Sequence, residues 1–450
     1  MRVNVETNLR ESGVDWLGKI PIDWQVHLFS QTIDRISTGL NPRENFSLNE
    51  GGHLYYVTIA NFKANKLMLD EACDRIDERA WTLIQERSRL QVGDVLFASI
   101  AREGQAYIVR EFPENWNINE SVFSIRPNKR YFDSEYLYYH LTCSRFFDRL
   151  LLEATGSTFK SIKQEMLRNA LVVVPPLSVQ RQIVAYLNDK TAVIDSRVTV
   201  LEQKLSAYKR LKASVINRAV TRGLDPKAKM KDSGVDWIGK IPAGWEARNL
   251  THCCRFFKGL EITKADLTET GTAVISYGQI HSKLNVGTHL KPELLRCVPE
   301  AIANADPGSR LKVGDIVFAD TSEDVEGCGN CVLMDADVPV YAGYHAIVAR
   351  PDEPGRSRYF SYLFNAPCWR SQIRSKVAGI KVFSITQRIF KGVSVLLPSE
   401  SDANAIADYL DAECAKIDKM AELVTREIEL YKKLKRSLIN EVVTGKREVA

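Results

Sequence analysis

The chain has 450 residues, of which 45% are hydrophobic and 26% charged, which allows two to four domains of ordinary globular composition. Its formal net charge of +5 neither requires nor excludes a nucleic-acid partner. Because it has no apolar run of bilayer length, no secretory signal and no framework spacing among its nine cysteines, we expect a cytoplasmic protein with reduced thiols.

A tryptophan-containing motif near the start of the chain recurs in the middle. Residues 11–21 read ESGVDWLGKIP and residues 232–242 read DSGVDWIGKIP, and the segment VGDVLFA at 92–98 recurs as VGDIVFA at 313–319. The spacing between copies is 221 residues for both segments, which is far longer than a solenoid repeat. The sequence therefore predicts two similar halves in one chain, and two similar binding events.

Each tryptophan motif precedes a region of short apolar runs. The first region, 23–175, contains candidate strands at 54–59, 94–98, 122–125 and 171–174, and the second, 244–398, contains candidates at 274–277, 315–318, 346–349 and 393–397. These runs are rich in β-branched and aromatic residues. We expect two α+β domains that share a frame and differ in their loops.

A long amphipathic helix is predicted after each domain, at 176–223 and at 399–445, with Gly223 and Gly445 where the patterns stop. With roughly 40 residues each, such helices would be about 60 Å long. The near-heptad spacing predicts that they pack as an antiparallel coiled coil with the two domains at its ends. The expected packing residues are Leu187, Ile194, Val198, Leu201, Leu205, Tyr208, Leu211 and Val215 in the first helix and Leu410, Ile417, Ala421, Val424, Ile428, Tyr431, Leu434 and Leu438 in the second.

The order of these features resembles the specificity subunit of type I restriction-modification systems over essentially the whole chain. The resemblance depends on the tryptophan motif with Trp24, its copy from Ser233, residues 93–96 (GDVL), residues 155–162 (TGSTFKSI) and residues 175–183 (PPLSVQRQI). Residues 398–404 depart from the last pattern, so the start of the second helix stays open. The domain plan is then an N-terminal motif at 1–22, recognition domains at 23–175 and 244–398, a linker at 224–243 that repeats the motif, and a tail at 446–450.

The resemblance implies a protein that reads a bipartite, asymmetric DNA site, one half per domain, with the helices setting the spacer. It implies two modification subunits that bring S-adenosylmethionine and adenine-N6 methylation, and restriction subunits that use ATP and Mg²⁺. This chain itself would be non-catalytic and would bind no cofactor and no metal.

Under this interpretation, polar loop residues of the two domains are the candidates for DNA contact, because hydrogen-bonding side chains distinguish base edges. In the first domain they are Thr38, Asn41, Arg43, Arg102, Gln105, Thr158, Lys160, Ser161 and Lys163. In the second domain they are Lys258, Thr263, Lys264, Asp320, Thr321, Asp324, Lys381, Ser384 and Gln387.

Two other classes of protein stay open. The residues Gly13, Gly18 and Lys19 match part of a phosphate-binding loop, although isoleucine and proline follow the lysine where Ser or Thr and a helix are required. A coiled-coil scaffold without a DNA role is the second alternative. The helix clusters around Lys212 and Lys435 could be solvated, or could contact a partner or a phosphate backbone, and Cys328 and Cys331 have metal-ligand spacing but no second pair.

Overall fold

The computed structural model describes residues 9–43, 45–48, 52–63, 66–100, 104–153, 161–235, 238–379 and 382–449. The chain forms two compact units, which divide within the long helices. Unit 1 consists of Met1–Glu202 and Arg426–Ala450, and unit 2 consists of Gln203–Thr425. Each unit thus contains one α+β domain with the start of one long helix and the end of the other.

The first half of the chain has thirteen strands and five helices among its described residues. The strands are β1 Leu9–Glu11, β2 Lys19–Pro21, β3 Gln25–Leu28, β4 Ile33–Thr38, β5 Leu54–Val57, β6 Phe62–Lys63, β7 Lys66–Leu67, β8 Arg75–Ile76, β9 Val95–Ala98, β10 Ala106–Ile108, β11 Trp116–Ile118, β12 Val122–Pro127 and β13 Leu171–Val174. The helices are α1 Glu78–Ser88, α2 Ser134–Thr142, α3 Ser144–Glu153, α4 Gln164–Asn169 and α5 Leu177–Arg222.

The second half repeats this plan. Its described strands are β14 Met230–Asp232, β15 Lys240–Pro242, β16 Glu246–Asn249, β17 Cys254–Lys258, β18 Thr272–Ile275, β19 Arg296–Val298, β20 Ile316–Ala319, β21 Thr321–Ser322, β22 Cys331–Leu333, β23 Val340–Ala342, β24 Ala346–Pro351, β25 Phe383–Ser384 and β26 Ser394–Leu397. Its helices are α6 Tyr277–Ile280, α7 Glu300–Ala305, α8 Ser357–Asn365, α9 Pro367–Arg374, α10 Gln387–Phe390 and α11 Glu400–Val443.

A four-stranded antiparallel sheet is the centre of each domain. Its order is β4-β12-β9-β10 in unit 1 and β17-β24-β20-β22 in unit 2, which is the same arrangement in the two copies. The fully buried strands β9 and β20 come from the repeated VGD segments. The aspartate of each segment, Asp94 or Asp315, accepts two hydrogen bonds from an arginine of the neighbouring strand, Arg126 or Arg350. The α+β class and the internal repeat are therefore confirmed.

The tryptophan motif forms a hairpin that receives the end of a long helix. Strand β1 pairs with β2, and Gly13 and Gly18 adopt positive φ angles in the turn between them. In unit 1, the end of α11 at Gly445 lies against Pro21 and Trp24. In unit 2, the end of α5 at Gly223 lies against the second motif, at Pro242 and Trp245.

This hairpin contradicts the phosphate-binding alternative. Lys19 begins strand β2, whereas a phosphate-binding loop requires a helix whose N-terminal amides face the phosphates. In the second copy Lys240 begins β15 in the same way. The glycines therefore serve the turn, where positive φ costs glycine little.

Within each unit the long helices run antiparallel. In unit 1, Asp195 of α5 pairs with Lys435 of α11. Glu202, further along α5, pairs with Lys432, which comes earlier in α11, so the two helices run in opposite directions. Most of the residues predicted to pack are buried or half-buried. Leu211 and Leu434 are corrections, because their side chains are 49% and 51% exposed.

The correction has a physical cause in the helical period. The prediction placed the next inward residue three positions after Tyr208 and Tyr431. In the structure it lies four positions after them, at Lys212 and Lys435. Lys212 binds Asp418 in unit 2 at 2.6 Å, and Lys435 binds Asp195 in unit 1 at 2.7 Å. These two lysines therefore stabilise the helix pair.

The hydrophobic cores lie between the sheets, the short helices and the ends of the long helices. In unit 1 the largest core joins Phe97 of β9 and Phe147 of α3 with Leu187 of α5 and Val442 of α11. Unit 2 has the matching core, with Phe318 of β20, Trp369 of α9 and residues of both long helices. No helix in the described parts of the chain is both long enough and apolar enough to cross a membrane.

Candidate nucleic-acid interface

At one edge of the central sheet in unit 2, strands β17 and β20 end and strand β24 begins, and polar residues lie at these strand ends. Ala319 of β20 pairs with Ala346 of β24, and Lys258 of β17 pairs with Ile347 of β24. This register places Lys258, Asp320 and His345 together at one end of the sheet. Because the sheet determines their backbone positions, these side chains are well placed to recognise a ligand.

Asp320 and His345 are joined by two hydrogen bonds. The backbone N–H of Asp320 donates to the carbonyl of His345 at 3.1 Å, and the carboxylate Oδ1 of Asp320 accepts from Nδ1 of His345 at 3.0 Å. A carboxylate acceptor requires the proton on Nδ1. Their side chains remain 31% and 54% exposed, so the pair faces solvent.

His345 adopts a left-handed backbone conformation, with φ of 52°. Among the described non-glycine residues, only Arg89 shares a positive φ. Such a conformation costs free energy and is often found at functional sites. In His345 it turns the imidazole toward Asp320 and toward Tyr277, whose ring centroid lies 5.9 Å away.

Thr321 and Ser384 extend the same edge. They pair across strands β21 and β25, and the N–H of Ile385 donates to the carbonyl of Asp320. His281 binds the carbonyl of Thr321 through Nε2 at 2.8 Å and contacts the amide of Asn330 through Nδ1. Because the Asn330 amide nitrogen donates, Nδ1 of His281 accepts and Nε2 carries the proton.

A groove of about 490 Å³ lies beside Thr321. Its lining is acidic, with Glu323, Asp324 and Glu326 at one side. The carboxylate of Asp324 accepts from the N–H of Gly327 at 2.6 Å, so part of its hydrogen-bonding capacity closes the turn.

The remaining candidates of the second domain have different surroundings. Thr263 and Lys264 lie on an exposed turn, where Asp266 accepts from the hydroxyl and the N–H of Thr263. Gln387 is half-buried at the start of α10. Lys381 lies outside the described residues.

Unit 1 has the same edge with other side chains. Thr38 ends β4, and Gln105 lies opposite Ala98 at the end of β9, where its carbonyl accepts from the N–H of Ala98. Ser161 precedes Ile162, whose N–H donates to the carbonyl of Ser99. The structure thus brings Thr38, Gln105 and Ser161 to one edge.

The backbone bonds define residues that correspond between the two units. The N–H of Ser99 donates to the carbonyl of Ser121, as that of Asp320 donates to His345. Ser99 and Ser121 therefore occupy the places of Asp320 and His345. Two small hydroxyls in one domain replace a carboxylate and an imidazole in the other, within the same backbone frame.

The other candidates of the first domain are less closely grouped. Arg43 and Lys163 are exposed, and the side chain of Asn41 accepts from Asn45. Arg102, Thr158 and Lys160 lie outside the described residues, as does most of the 155–162 motif.

Sequence reasoning missed the aromatic and histidine members of this edge. Tyr277, His281 and Tyr344 come from segments that have no repeated motif. His345 is likewise absent from the predicted candidates for DNA contact. The useful signal was the pair of repeated segments at 92–98 and 313–319, since the residue that follows each segment, Ser99 or Asp320, begins the edge in its domain.

The pair Cys328 and Cys331 does not form part of a metal site in the described structure. Both thiols are buried, and burial raises the pKa of Cys331 to about 12. No cluster of three or more histidine, cysteine or carboxylate side chains suited to a metal ion occurs among the residues described.

A repeated α+β domain followed each time by a long helix, with polar residues at the strand ends of each copy, is the arrangement expected from the resemblance to type I restriction-modification specificity subunits. The family model for the type I restriction modification DNA specificity domain matches residues 33–203. The resemblance predicted from the sequence motifs is therefore confirmed.

Individual relatives support this assignment. The putative type I restriction enzyme MjaX specificity subunit of Methanocaldococcus jannaschii is 24% identical over 96% of each chain. The type I restriction enzyme MjaVIII specificity subunit of the same organism is 23% identical over 74% of each chain. A solved chain from work on complex assembly and conformational transition of the type I R-M system has a similar fold, with a TM-score of 0.63, 16% identity and coverage of 95% of this chain and 99% of that chain.

Proposed function

We propose that this chain is the non-catalytic subunit that selects the DNA sequence for a type I restriction-modification complex. Each domain reads one half of a bipartite, asymmetric site through the edge where its central strands end. The observation that carries the proposal is the shared backbone frame with different side chains, Ser99 and Ser121 in one domain and Asp320 and His345 in the other. Two such edges suit two different half-sequences, because base edges are distinguished by hydrogen-bonding groups.

The chemistry is proposed to belong to the partners. Modification subunits would bring S-adenosylmethionine and methylate adenine N6, after the base has been flipped out of the duplex. Restriction subunits would use ATP and Mg²⁺. This chain would hold no cofactor or metal of its own.

The exposed faces of the long helices support docking of two modification subunits. In unit 1, Val200 of α5 and Leu434 of α11 are about half exposed. In unit 2, the matching positions are Leu423 of α11 and Leu211 of α5, which are also exposed. Exposed apolar side chains repeated at equivalent places suit two copies of one partner, since an apolar helix face can be buried in a groove of another protein.

The experiment that tests the function is sequencing of N6-methyladenine in DNA methylated by the chain with its operon-encoded modification subunit. We expect a split motif that disappears when the chain is omitted. Replacing residues 23–175 by the corresponding domain of another specificity subunit should change one half of the motif only. A scaffold without a DNA role would leave the modification subunit equally active and its motif unchanged by either manipulation.

The spacer is testable in the same assay. Inserting four residues near Leu201 of α5, with a matching insertion near Ile428 of α11, lengthens the helix pair by roughly 6 Å. At about 3.4 Å per base pair, we expect the spacer to grow by one or two base pairs while both half-sequences stay the same. An unaltered spacer in a methylating variant would contradict the role of the helices as a ruler.

A further inference from the structure

We infer that Asp320 and His345 form a base-reading pair that determines one position of the DNA half-site bound by the second domain. The inference rests on the proposed function and deepens it, because it assigns specificity to two named side chains. Asp320 and His345 lie at the edge of the central sheet in unit 2 where β20 ends beside the start of β24.

The imidazole of His345 is held in place from several directions. Asp320 accepts from its Nδ1, Tyr277 packs edge-on against it, and Tyr344 lies 5.8 Å away between ring centroids. The backbone N–H of Tyr277 also donates to the carbonyl of Tyr344, the residue before His345. A ring held in this way loses little conformational entropy when it binds, which favours selective recognition.

The remaining ring nitrogen sets the chemistry of recognition. With Nδ1 donating to Asp320, Nε2 is available to one further hydrogen-bond partner. A neutral imidazole accepts there from the exocyclic amino group of adenine or cytosine, and an imidazolium donates to N7 or O6 of guanine. Either contact distinguishes bases in the major groove, whereas a phosphate contact would not.

The left-handed backbone at His345 supports a functional role. A β-sheet end needs no residue with φ of 52°, and the corresponding Ser121 in unit 1 has no positive φ. The conformation costs free energy, which the two hydrogen bonds with Asp320 and the ring contacts help to offset. A strained backbone of this kind is expected where a side chain must be held in one orientation.

A second histidine–aspartate pair in the same unit provides a matched control. His289 binds Asp335 through Nδ1 at 2.8 Å, and the two side chains are 53% and 31% exposed, nearly the values of His345 and Asp320. The Nε2 of His289 also lies 3.9 Å from the carboxylate of Asp411 in α11. Asp335 follows Met334, whose carbonyl accepts from the N–H of Gly314 before β20 begins. The control pair therefore lies at the opposite end of the central sheet.

The test compares His345→Asn, Asp320→Asn and His289→Asn in the full chain assembled with its modification subunit. Asparagine tolerates the left-handed conformation, so His345→Asn removes the ring with little backbone change. The readout is the methylated motif from N6-methyladenine sequencing. The domain exchange at residues 23–175 shows which half belongs to the second domain.

We expect His345→Asn to relax one position in the half-site of the second domain, with discrimination at that position reduced by about tenfold. Asp320→Asn should relax the same position to a smaller extent, because it retains an acceptor for Nδ1 but loses the charge. The first half-site should be unchanged, and His289→Asn should give the wild-type motif.

The inference is overturned if His345→Asn and Asp320→Asn both methylate the wild-type motif, or if the relaxed position lies in the other half-site. If His345→Asn does not assemble, Asp320→Asn decides between these outcomes. Failure of the proposed function gives a different result, because the wild-type complex would then show no split motif at all.

Discussion

The hydroxyl of Tyr136 in α2 donates to the carbonyl of Val443 at the end of α11, at 3.3 Å. The second copy repeats this bond, since Tyr359 in α8 donates to Val220 at the end of α5, at 3.0 Å. One helical turn later, Tyr139 donates to Asn188 near the start of α5. In the second copy Tyr362 likewise donates to Asp411 near the start of α11. Each domain therefore binds the start of one long helix and the end of the other, so each unit contains parts of both long helices.

Removing the Tyr136 hydroxyl should loosen the end of α11. Tyr136→Phe leaves the buried carbonyl of Val443 without this donor, which we expect to cost about 1–3 kcal/mol of stability in unit 1. Amide hydrogen exchange should show faster exchange near residues 439–444. Tyr409→Phe, on an exposed part of α11, is the control. Equal protection in Tyr136→Phe and the control would argue against this role for the tyrosine.

Reversing the charge of Lys435 should weaken the helix pair in unit 1. The side chains of Lys435 and Asp195 are 28% and 48% exposed, so Lys435→Asp should lower stability by only about 1 kcal/mol. Asp195→Lys in the same chain should restore most of the loss, and added salt should reduce both effects. Thermal unfolding of the two single variants and the double variant measures this coupling. If the loss of stability in the double variant equals the sum of the losses in the two single variants, the pair does not stabilise the helices.

Replacing the buried His140 should make the protein less sensitive to acid. Both ring nitrogens lack a partner in the structure, and burial lowers the pKa of His140 to about 3, compared with 6.5 in a model peptide. Between these values the unfolded chain binds a proton that the folded chain does not. Stability should therefore fall by up to about 1.4 kcal/mol for each pH unit below 6.5.

The internal repeat suggests leucine as the replacement for His140, because the corresponding residue in the second domain is Leu363, which is fully buried. His140→Leu should raise the melting temperature at pH 7.5 and raise it further at pH 5.5. His252→Leu, at an exposed position, is the control for the loss of one imidazole. Unfolding curves at the two pH values measure the difference. A parallel loss of stability with pH in wild type and His140→Leu would contradict the expectation.

The arginine–aspartate pair of each central sheet should be essential to folding. Asp94 has a side chain only 2% exposed, and hydrogen bonds to Asp94 raise the pKa of Arg126. Arg126→Leu leaves a buried carboxylate without its cation, so we expect a loss of about 3–5 kcal/mol. A second substitution, Asp94→Asn, in the Arg126→Leu chain should recover part of the lost stability. Denaturant titration measures both variants, and Arg350→Leu should affect unit 2 in the same way.

The repeat, the α+β class and the two long helices follow from the sequence, because they depend on local periodicity and on duplicated segments. Strands such as Val95–Ala98 and Ile316–Ala319 are short apolar runs bounded by turn residues, which is typical of a buried strand. The predicted packing residues of the helix pair are buried or half-buried up to Tyr208 and Tyr431, and again at Val215 and Leu438. Between these positions, Leu211 and Leu434 proved to be exposed, because a change of one residue in the inward step is set by packing between helices.

The candidate site was predicted only in part. Asp320, Thr321 and Ser384 were selected because polar residues follow apolar strands, and the structure brings them together. His345 and Tyr277 join them from segments that are distant in sequence, and no repeated motif marks them. Contacts of this kind depend on strand register, which is not encoded by any single segment.

Two similar halves, each followed by a long helix, can be recognised from the order of the amino acids, since duplication and hydrophobic period are properties of the chain. The folded chain was needed to show that each helix ends against the other half's tryptophan motif, and that Asp320 meets His345 in one domain where Ser99 meets Ser121 in the other. The physical reason is that these contacts join residues far apart in sequence, so their formation depends on the packing of whole elements and not on local preference.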